Sequence, residues 1–506
     1  MADAQNLPAN LRFFMSRLQG VSTSHYKVYS TAGDTGTANK IMRFELPSNV
    51  LINLKSTRLF FNASTSGTAA SRGRLPEDTR SLIERMTIYA GGVQIQNGHN
   101  AYNVLAHAKK ALTGMECESM LTHPELVRNQ SYHSNLPITN AESYLLEDNQ
   151  LCIDSFDGFL GTAAPGIIDT GIFPQITIEF TLADNSVTSS SAGTFLKGGA
   201  LLEPAPAAPA LPRVAGQEEF TSTGSTAISY TLSNMTLQIE VLGMASSVLD
   251  EIVAERISQV GYLSIPFKNY YTFTAQHAST TRFNVNSSSL DRIWCCWRNT
   301  NYAANPSAPV VVNGYKVAGA YTAASSAAVT AQTAAAGGGP AANAVAGQTA
   351  FNIYQDIGKP QYDIGGTHGT NTEKYQSQYF KFAQVLAGGA TKATYQLQIN
   401  GANYPAYRLN TPEALSLSLN SVDYFINSNR RMTLDQYKNN YCVQCYRFCL
   451  PESDAYRLAS GLDTRATSAQ CAVLTEGLDL TTQHLTIFAE CTAECRVASR
   501  QVEVIP

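Results

Sequence analysis

The sequence predicts an all-β protein built from two similar domains in tandem. A strand, a glycine-containing turn, a second strand and a helix-compatible stretch follow one another once in each half of the 506-residue chain. In both halves apolar residues alternate with polar ones, which is the period-two pattern of a strand with one buried face. A strand-rich unit that recurs after about three hundred residues indicates a duplicated domain. A single catalytic core is therefore the less favoured interpretation.

Two hairpins carry this repeat. In the first, alternation over residues 86–90 precedes a Gly-Gly turn at residues 91–92. In the second, alternation over residues 395–399 precedes an Asn-Gly turn at residues 400–401, a pair that accommodates the positive φ angles of a tight hairpin. A helix is expected after each hairpin, over residues 100–112 and over residues 412–419.

The remaining strands are predicted from the same alternation and from the turn residues between them. Proline is expected to end two of them, at Pro47 and near Pro266, because it lacks the backbone donor of a sheet ladder. A short helix is expected over residues 76–82, ahead of the first hairpin. The other predicted strands span residues 40–46, 50–54, 58–62, 175–183, 228–232, 235–241, 263–267, 280–286, 293–298, 441–450, 483–490 and 495–505.

Breaks in this pattern divide the chain into four parts. The helix that we expect between the two domains is indicated by a serine cap, by acidic residues in its first turns and by apolar residues at helical spacing. The expected parts are an amino-terminal arm over residues 1–26, a first domain over 27–244, a connecting helix over 245–260 and a second domain over 261–506.

Two long excursions interrupt the strands. One, over residues 186–227, contains a Pro/Ala-rich run that cannot form a central strand, and the other, over residues 317–355, has no charged side chain. The entropic cost of closing a loop rises only slowly with its length. We therefore expect both excursions to be surface loops on the outward side of the fold.

Composition limits the possible functions. The net charge is −4 and only 15% of the residues are charged, which argues against a strongly basic nucleic-acid footprint, so no sequence-specific nucleic-acid partner is expected. No run reaches the roughly 18 to 20 apolar residues of a membrane span, and the amphipathic residues 7–18 lack the core of a signal peptide. Neither a transmembrane segment nor secretion is expected.

The search for catalytic, cofactor and metal sites gives only weak candidates. The strongest is Cys442, Cys445 and Cys449, but a spacing of three in a strand points Cys442 and Cys445 to opposite faces, so buried thiols are the favoured interpretation. The same spacing separates Trp294 and Trp297, of which at least one is expected in the core rather than on a binding platform. No catalytic, cofactor-binding or metal-ligating residue is predicted, and the chain is not expected to be an enzyme.

Several short motifs, taken in order, resemble those of a known family. FELP at residues 44–47, LIERMTIYAGGVQI at 82–95, YNVL at 102–105 and FPQITIEFTL at 173–182 resemble the first roll of double jelly-roll major capsid proteins. GYLSIPF at 261–267 and QINGANYP at 398–405 resemble the second roll of the small members, those of polinton-like viruses and virophages.

This resemblance implies two consecutive eight-stranded antiparallel jelly rolls with short helices and long loop insertions. It further implies a homotrimer whose six rolls form a pseudo-hexagonal tile, contacts with neighbouring capsomers and with penton and minor capsid proteins, and a location in the icosahedral virion. The alternative from another functional class is a two-domain β-sandwich carbohydrate-binding protein or glycosidase, which the 25 tyrosines permit.

Overall fold

The computed structural model contains two β-rich units that follow one another along the chain. The first extends from Ser22 to Gly243 and the second from Gly261 to Ile505. The residues that the structure describes are 22–65, 71–74, 79–96, 100–113, 150–187, 189–192, 229–243, 258, 261–276, 278–299, 380, 382–422, 434, 437–438, 441–450, 461–465, 470–481, 483–498 and 500–505.

The first unit contains twelve strands, two α-helices and two 3-10 helices among its described residues. The strands are β1 Ser22–Tyr29, β2 Gly36–Thr37, β3 Ile41–Glu45, β4 Leu51–Thr65, β5 Ser71–Arg74, β6 Ile83–Ala90, β7 Val93–Gln96, β8 Gln150–Ile153, β9 Ile167–Asp169, β10 Ile176–Leu182, β11 Ser189–Ala192 and β12 Tyr230–Gly243. The helices are α1 Tyr102–Thr113 and α2 Phe159–Thr162, with 3-10 turns at Thr79–Leu82 and Asn185–Val187.

The second unit contains nine strands and one α-helix of regular length in its described part. The strands are β13 Leu263–Gln276, β14 Thr280–Asn284, β15 Leu290–Asn299, β16 Thr394–Ile399, β17 Ala402–Asn410, β18 Val443–Arg447, β19 Gln470–Glu476, β20 Gln483–Ala498 and β21 Gln501–Ile505. The helix is α3 Thr411–Ser421. None of the helices in the described ranges is long and apolar enough to cross a membrane.

Each unit is a jelly roll, because its eight main strands pair in the same two orders. In the first unit, sheet I has the order β1-β12-β4-β8 and sheet II the order β3-β10-β6-β7. In the second unit, sheet III has the order β13-β20-β15-β18 and sheet IV the order β14-β19-β16-β17. Numbered along each unit, both pairs of sheets read 1-8-3-6 and 2-7-4-5, which is the pairing of an eight-stranded double Greek key. The predicted fold class is confirmed.

A few strands lie outside this plan. β2 pairs with β12 and β9 with β4 at the margins of sheet I, and β21 pairs with β20 beside sheet III. β5 and β11 form a separate two-stranded ribbon. The helices α1 and α3 follow β7 and β17, the fifth main strand of each roll, so the duplication extends to the helices.

The two hairpins of the sequence repeat join the fourth and fifth main strands of each roll. Gly91 and Gly92 have φ angles of +56° and +88°, and Asn400 and Gly401 have +50° and +82°. Two consecutive positive φ values are the backbone of a type I′ turn, whose twist matches that of the flanking strands. Both predicted turns and both predicted helices are confirmed.

The core of each roll lies between its two sheets. β10 has the clearest alternation, with Ile178 and Phe180 fully buried and Thr177 on the outer side. Phe180 meets Phe44 of β3 edge to face, with ring centroids 5.9 Å apart, and stacks on Phe156 at 5.5 Å. The period-two prediction for this strand is confirmed.

Several predicted boundaries are wrong. Residues 22–26, assigned to an amino-terminal arm, begin β1, which pairs with β12 along its whole length. The carboxyl-terminal strands divide at a turn around Arg500, since β20 runs without a break from Gln483 to Ala498 and β21 folds back on it. The described part of the short helix over 76–82 is a 3-10 turn. The connecting helix, apart from Ser258, lies outside the described residues, as do the excursion over 317–355 and all of the Pro/Ala-rich run.

Pro266 also contradicts the sequence prediction, because β13 continues through it to Gln276. β13 is an edge strand that pairs with β20 on one side only. A proline is tolerated there because an edge strand has one row of backbone groups that no ladder uses. The Pro266 carbonyl is nevertheless used, since it accepts a hydrogen bond from the backbone N–H of Ala164 in the first roll at 3.0 Å.

The alternation in β10 gives a direct mutational test. Ile178→Lys places an ammonium between the two sheets of the first roll, and we expect insoluble or unfolded protein because an unpaired buried charge costs several kcal/mol. Thr177→Lys, on the outer face of the same strand, is expected to change stability by about 0.5 kcal/mol or less. Soluble yield and melting temperature measure both effects, and equal behaviour of the two variants would contradict the assignment of the faces.

Candidate functional site at the contact between the two rolls

The outer face of sheet III, which is the face turned away from sheet IV, is covered by the first roll. In β20 every residue from Leu485 to Ala493 is buried, so neither face of this strand reaches solvent. The same holds for Phe267 to Tyr270 in β13. A sheet with one solvated face would alternate between buried and exposed residues. The loss of alternation therefore marks the contact between the rolls.

A lysine of α1 makes the central contact. Lys109 Nζ forms an ion pair with Asp157 Oδ1 of its own roll and donates a hydrogen bond to the hydroxyl of Tyr270 in β13 at 3.1 Å. The ammonium also lies 5.2 Å from the centroid of the Tyr270 ring, within the range of a cation–π contact. Asp157 is positioned by its own backbone N–H, which donates to the hydroxyl of Tyr102 at the start of α1.

Lys109 remains charged in this setting. Burial lowers the pKa of Lys109, but Asp157, Tyr270 and Glu490 together outweigh burial and raise it well above its ordinary value. Burial and the Glu490 carboxylate raise the pKa of Tyr270 in turn. The pair is thus an ammonium and a neutral phenol, which suits the direction of the hydrogen bond.

Glu490, in the middle of β20, is the carboxylate on which three cations converge. Arg292 Nη1 lies 2.9 Å from Glu490 Oε1, and the indole N–H of Trp294 donates to Oε2 at 3.0 Å. Burial raises the pKa of Glu490, but Arg292, Lys109 and Lys268 outweigh it and hold the pKa below its ordinary value. Glu490 is therefore ionised although only 4% of its side chain is exposed.

A second buried ion pair joins β13 to β15. Lys268 Nζ lies 2.8 Å from Asp291 Oδ2 and donates to Thr492 Oγ1 at 3.0 Å. Thr492 and Ser289 donate to the two oxygens of Asp291 at 2.5 and 2.9 Å. The register of β15 against β20 shifts between Leu290 and Arg292, so Asp291 occupies the irregular position. Such a bulge changes the direction of a side chain. Here it places the Asp291 carboxylate within hydrogen-bond distance of Lys268, Ser289 and Thr492.

The free edge of β13 is also occupied by the first roll. The backbone N–H of Lys268 donates to Thr162 Oγ1 at 2.9 Å, next to the bond from Ala164 to Pro266 already described. The ring of Phe159 in α2 meets Phe267 edge to face, with centroids 5.3 Å apart. Unpaired edge strands invite pairing with other chains. In the second roll that edge is closed by Thr162 at the end of α2 and by Ala164 just after it.

Two further contacts complete the interface. His107 in α1 stacks on Phe380 of the second roll, with ring centroids 4.0 Å apart and planes inclined by 13°. Its Nε2 lies 2.5 Å from Ser81 Oγ in the 3-10 turn of the first roll. Thr272 Oγ1 of β13 donates to the carbonyl of Asn100, ahead of α1, at 2.7 Å. The helix α1 is therefore held between the two rolls.

This arrangement is suited to joining domains rather than to catalysis. Its three cations and three carboxylates are paired with one another, so the carboxylates are engaged in ion pairs inside the contact. Removing one partner of a buried ion pair leaves an uncompensated charge, which is strongly destabilising. The groups are Lys109, Lys268, Arg292, Asp157, Asp291 and Glu490. Each ion pair joins residues of one roll, and the charged contact that crosses between the rolls is that of Lys109 with Tyr270, reinforced by the attraction of Lys109 to Glu490.

The cysteines singled out in the sequence are mainly core residues. Cys442 and Cys445 are fully buried, and Cys449 is partly buried. Burial raises the pKa of the Cys442 thiol to about 12, and its sulfur lies 3.9 Å from the Tyr395 hydroxyl. The thiol is protonated near neutral pH, whereas the thiolate is the metal ligand and nucleophile. The described residues contain no cluster of His, Cys, Asp and Glu suited to a metal, and the absence of a structural metal stays a prediction.

Both tryptophans are buried, on opposite faces of β15. Trp294 points to Glu490 at the contact between the rolls, and Trp297 packs in the core, with its ring centroid 5.3 Å from that of Tyr395. The prediction that at least one lies in the core is confirmed. The second is buried as well because the first roll covers the outer face of sheet III. Neither offers a binding platform.

Sequence reasoning missed the charged network, although a signal was present. Lys268, Asp291 and Glu490 each interrupt an otherwise apolar strand. Period-two reasoning assigns such a residue to the solvated face of a sheet. Their burial depends on a partner surface that lies far away in the sequence, on α1 and near α2.

Glu490 provides a test of the network. Glu490→Gln keeps the shape of the side chain but removes the charge that balances Arg292, and we expect the free energy of unfolding to fall by about 3 kcal/mol or more. Glu179→Gln is the matched control, because Glu179 pairs with Arg43, whose side chain is 52% exposed. For this variant we expect the free energy of unfolding to fall by about 1 kcal/mol or less. Denaturant unfolding measures the change in unfolding free energy for both variants. Equal losses would contradict the conclusion that Glu490 belongs to a buried charge network.

The pH dependence follows from the same residue. The pKa of folded Glu490 is below its ordinary value of 4.5, so the stability that it contributes is complete above that value and is lost as the pH falls through the lowered pKa. The difference in melting temperature between the parent protein and Glu490→Gln should therefore shrink as the pH falls below 4.5. A difference that stays constant over this range would show that the charge of Glu490 is not what stabilises the contact.

Proteins similar to this chain are found among solved structures. No protein-family model matches the chain, and no curated protein matches its sequence. Among solved structures, the chain is similar to the PBCV-1 virus capsid, with 12% identity, 96% of this chain and 97% of that chain covered, and a TM-score of 0.48. It is also similar to the Faustovirus major capsid protein, with 10% identity, coverage of 98% and 96%, and a TM-score of 0.48.

A third similar structure is that of the Sputnik virophage, solved by cryo-electron microscopy. The identity is 9%, the coverage is 96% of this chain and 89% of that chain, and the TM-score is 0.44. The fold of this chain is assigned on its own strand pairing, which is the same in both halves. The chain is a tandem of two jelly rolls joined through a buried charged face.

Proposed function

We propose that this chain is a major capsid protein, a non-enzymatic structural subunit of an icosahedral viral shell that resides in the virion. The observation that carries the proposal is the repeated strand order, which makes one chain into two jelly rolls side by side. Jelly rolls are a recurrent building block of viral capsids. The motif resemblance given above points to the same function, which is also named for the capsid proteins to which the chain is similar.

The buried contact between the rolls supports a role as a tile. A shell subunit has to keep its shape while its outer surfaces contact neighbours. Here the covered face of sheet III and the closed edge of β13 make the two rolls a single block. For its organisation along the chain we propose rolls over residues 22–244 and 261–506, with the arm shortened to residues 1–21 and a connecting helix over 245–260.

The proposed assembly unit is a homotrimer, in which three chains supply six rolls to a pseudo-hexagonal capsomer. An edge strand with both faces exposed supports extensive contacts between copies: apart from Val28, every residue of β1 is exposed. The proposed partners of the capsomer are neighbouring capsomers together with penton and minor capsid proteins. Closed rings of this kind need a surface patch on one copy that fits a different patch on the next.

The alternative function, binding or cleaving carbohydrate, has less support. The residues best suited to stack on a sugar, Trp294 and Trp297, are buried. A glycosidase needs two carboxyl groups that face the substrate, whereas the carboxylates at the centre of this fold are occupied by cations. The structural role therefore accounts for more of the described residues.

Solution mass tests the proposal. We expect light scattering of the purified protein to give a particle of three chains, because an exposed edge strand and a low charge content, 15% of the residues, favour large contacts between copies. We also expect electron microscopy of concentrated protein to show hexagonal arrays. A particle of one chain at micromolar concentration, unchanged by salt, would contradict the proposal.

A further inference from the structure

An amine and a carboxyl group of the second roll are held in contact away from water. Lys268 Nζ lies 2.8 Å from Asp291 Oδ2, and the two side chains are 6% and 1% exposed. Lys268 belongs to the edge strand β13 and Asp291 to β15, with β20 between these strands. The carboxyl carbon Cγ is one bond beyond Oδ2. The ammonium nitrogen is therefore next to the carbon atom with which an amine could form an amide.

The hydroxyl of Thr492 bridges the two groups. Thr492 lies directly opposite Lys268 in the ladder between β13 and β20. Lys268 Nζ donates to Thr492 Oγ1 at 3.0 Å, and Thr492 Oγ1 donates to Asp291 Oδ2 at 2.5 Å. A hydroxyl can accept one proton and donate another. These two hydrogen bonds thus form a proton path from the nitrogen to Oδ2.

The other carboxylate oxygen has a donor of its own. Ser289 Oγ donates to Asp291 Oδ1 at 2.9 Å. Ser289 Oγ also accepts a hydrogen bond from the backbone N–H of Gly461 at 2.9 Å, which holds the hydroxyl in place. A fixed donor of this kind stabilises negative charge that develops on an oxygen during acyl transfer. Asp291 Oδ1 therefore lies in the position of an oxyanion, and Oδ2 in the position of a leaving group.

We infer that Lys268 and Asp291 condense to an amide, which forms a covalent cross-link between β13 and β15. The ion pair of the structure is the state before the reaction. The inference concerns the second roll within a single chain. It is therefore independent of the way in which copies of the chain assemble.

The condensation needs no reactant from outside. One proton passes from Lys268 Nζ through Thr492 to Asp291 Oδ2, which leaves a neutral amine and a carboxylic acid. The nitrogen lone pair forms a bond to Cγ, and the π electron pair of the carbonyl moves to Oδ1. A second proton follows the same path to Oδ2, and the Cγ–Oδ2 bond breaks so that water leaves with the bonding pair. The carbonyl at Oδ1 re-forms, and Nζ keeps one proton as the amide N–H.

Proximity and burial both favour the amide. Well-oriented intramolecular reactions reach effective molarities of about 10⁵ to 10⁸ M, which exceeds the concentration of water. Condensation also converts two buried charges into one neutral group, and burial of charge is costly. The charge of Glu490 remains balanced after Lys268 becomes neutral, because Arg292 and Lys109 also attract it.

The cross-link would fasten an edge strand to the interior of its sheet. β13 pairs with β20 on one side only, and β20 separates it from β15. An amide between Lys268 and Asp291 spans β20 and joins the strands on its two sides. We therefore expect β13 to remain attached to sheet III when the hydrogen bonds of its ladder break.

Intact mass under denaturing conditions tests the inference. The parent protein should be lighter than its sequence by one water molecule, either as purified or after incubation at neutral pH until the mass no longer changes. Lys268→Arg keeps a positive charge but cannot form this amide, so we expect the full mass of its sequence. Thr492→Val removes the proton path, and we expect condensation to slow by about a hundredfold or more. Thr486→Val is the matched control, because Thr486 is a buried threonine on the same face of β20, and it should lose water as the parent does.

Peptide mapping locates the bond. Trypsin does not cleave after an acylated lysine, so residues 257–282 should stay in one piece, joined through Asp291 to residues 283–292. A parent protein that keeps the full mass of its sequence would overturn the inference. A loss of water that persists in Lys268→Arg would also overturn it, since the water would come from another residue. If a variant does not fold, the mass and the peptide map of the parent still decide.

Discussion

The structure depends on the balance of charge buried between the two rolls. Lys109, Lys268 and Arg292 are taken out of water together with three carboxylates, and each charge is compensated by a partner within hydrogen-bond distance. Ionised groups are tolerated in a protein interior only when they are paired and hydrogen-bonded. If the first roll were removed, the outer face of sheet III would expose its own two ion pairs, Lys268 with Asp291 and Arg292 with Glu490, together with Trp294 and Phe488. The outer face of sheet III is therefore suited to burial against the first roll, and the two rolls together form the structural unit.

The same dependence explains why the two halves of a duplicated chain are not alike. Both rolls use one strand order and one position for the helix, so their internal packing follows the same rules. Their surfaces differ because the outer face of sheet III is occupied within the chain and that of sheet I is not. Glu240 of sheet I accepts a hydrogen bond from Asn53 at 2.8 Å, whereas Glu490 on the corresponding strand β20 of sheet III meets Arg292. The contact within the chain thus has a buried ion pair on this strand, whereas on the open face Glu240 has a neutral hydrogen-bond partner.

Much of the fold could be predicted from local pattern. Alternation identified β10, and the Gly-Gly and Asn-Gly pairs identified both hairpins, because side-chain period and turn backbone are local properties. The eight-strand order could not be read from the residues in this way, since it depends on pairing between strands such as β1 and β12 that lie far apart in the sequence. It followed only from the resemblance to a known family.

The failures have physical causes as well. The sequence predicts a strand end near Pro266 because a proline in a central strand would break the ladder, but β13 is an edge strand and its proline faces the edge where no ladder donor is needed. The sequence pattern divides the long β20 because Glu490 and Glu494 interrupt its apolar residues. Glu490 is buried by the contact with the first roll. A local sequence pattern does not predict burial against a surface that lies far away in the sequence.

The central claim is that the two rolls of one chain meet through a buried charged face and form a single block, three of which make the proposed capsomer. A cryo-electron microscopy map of the purified particle tests it most directly. The account predicts six jelly rolls in a ring, with α1 against sheet III within each chain. A map in which the two rolls of one chain adopt several relative orientations, or which shows no ring of six rolls, would contradict it.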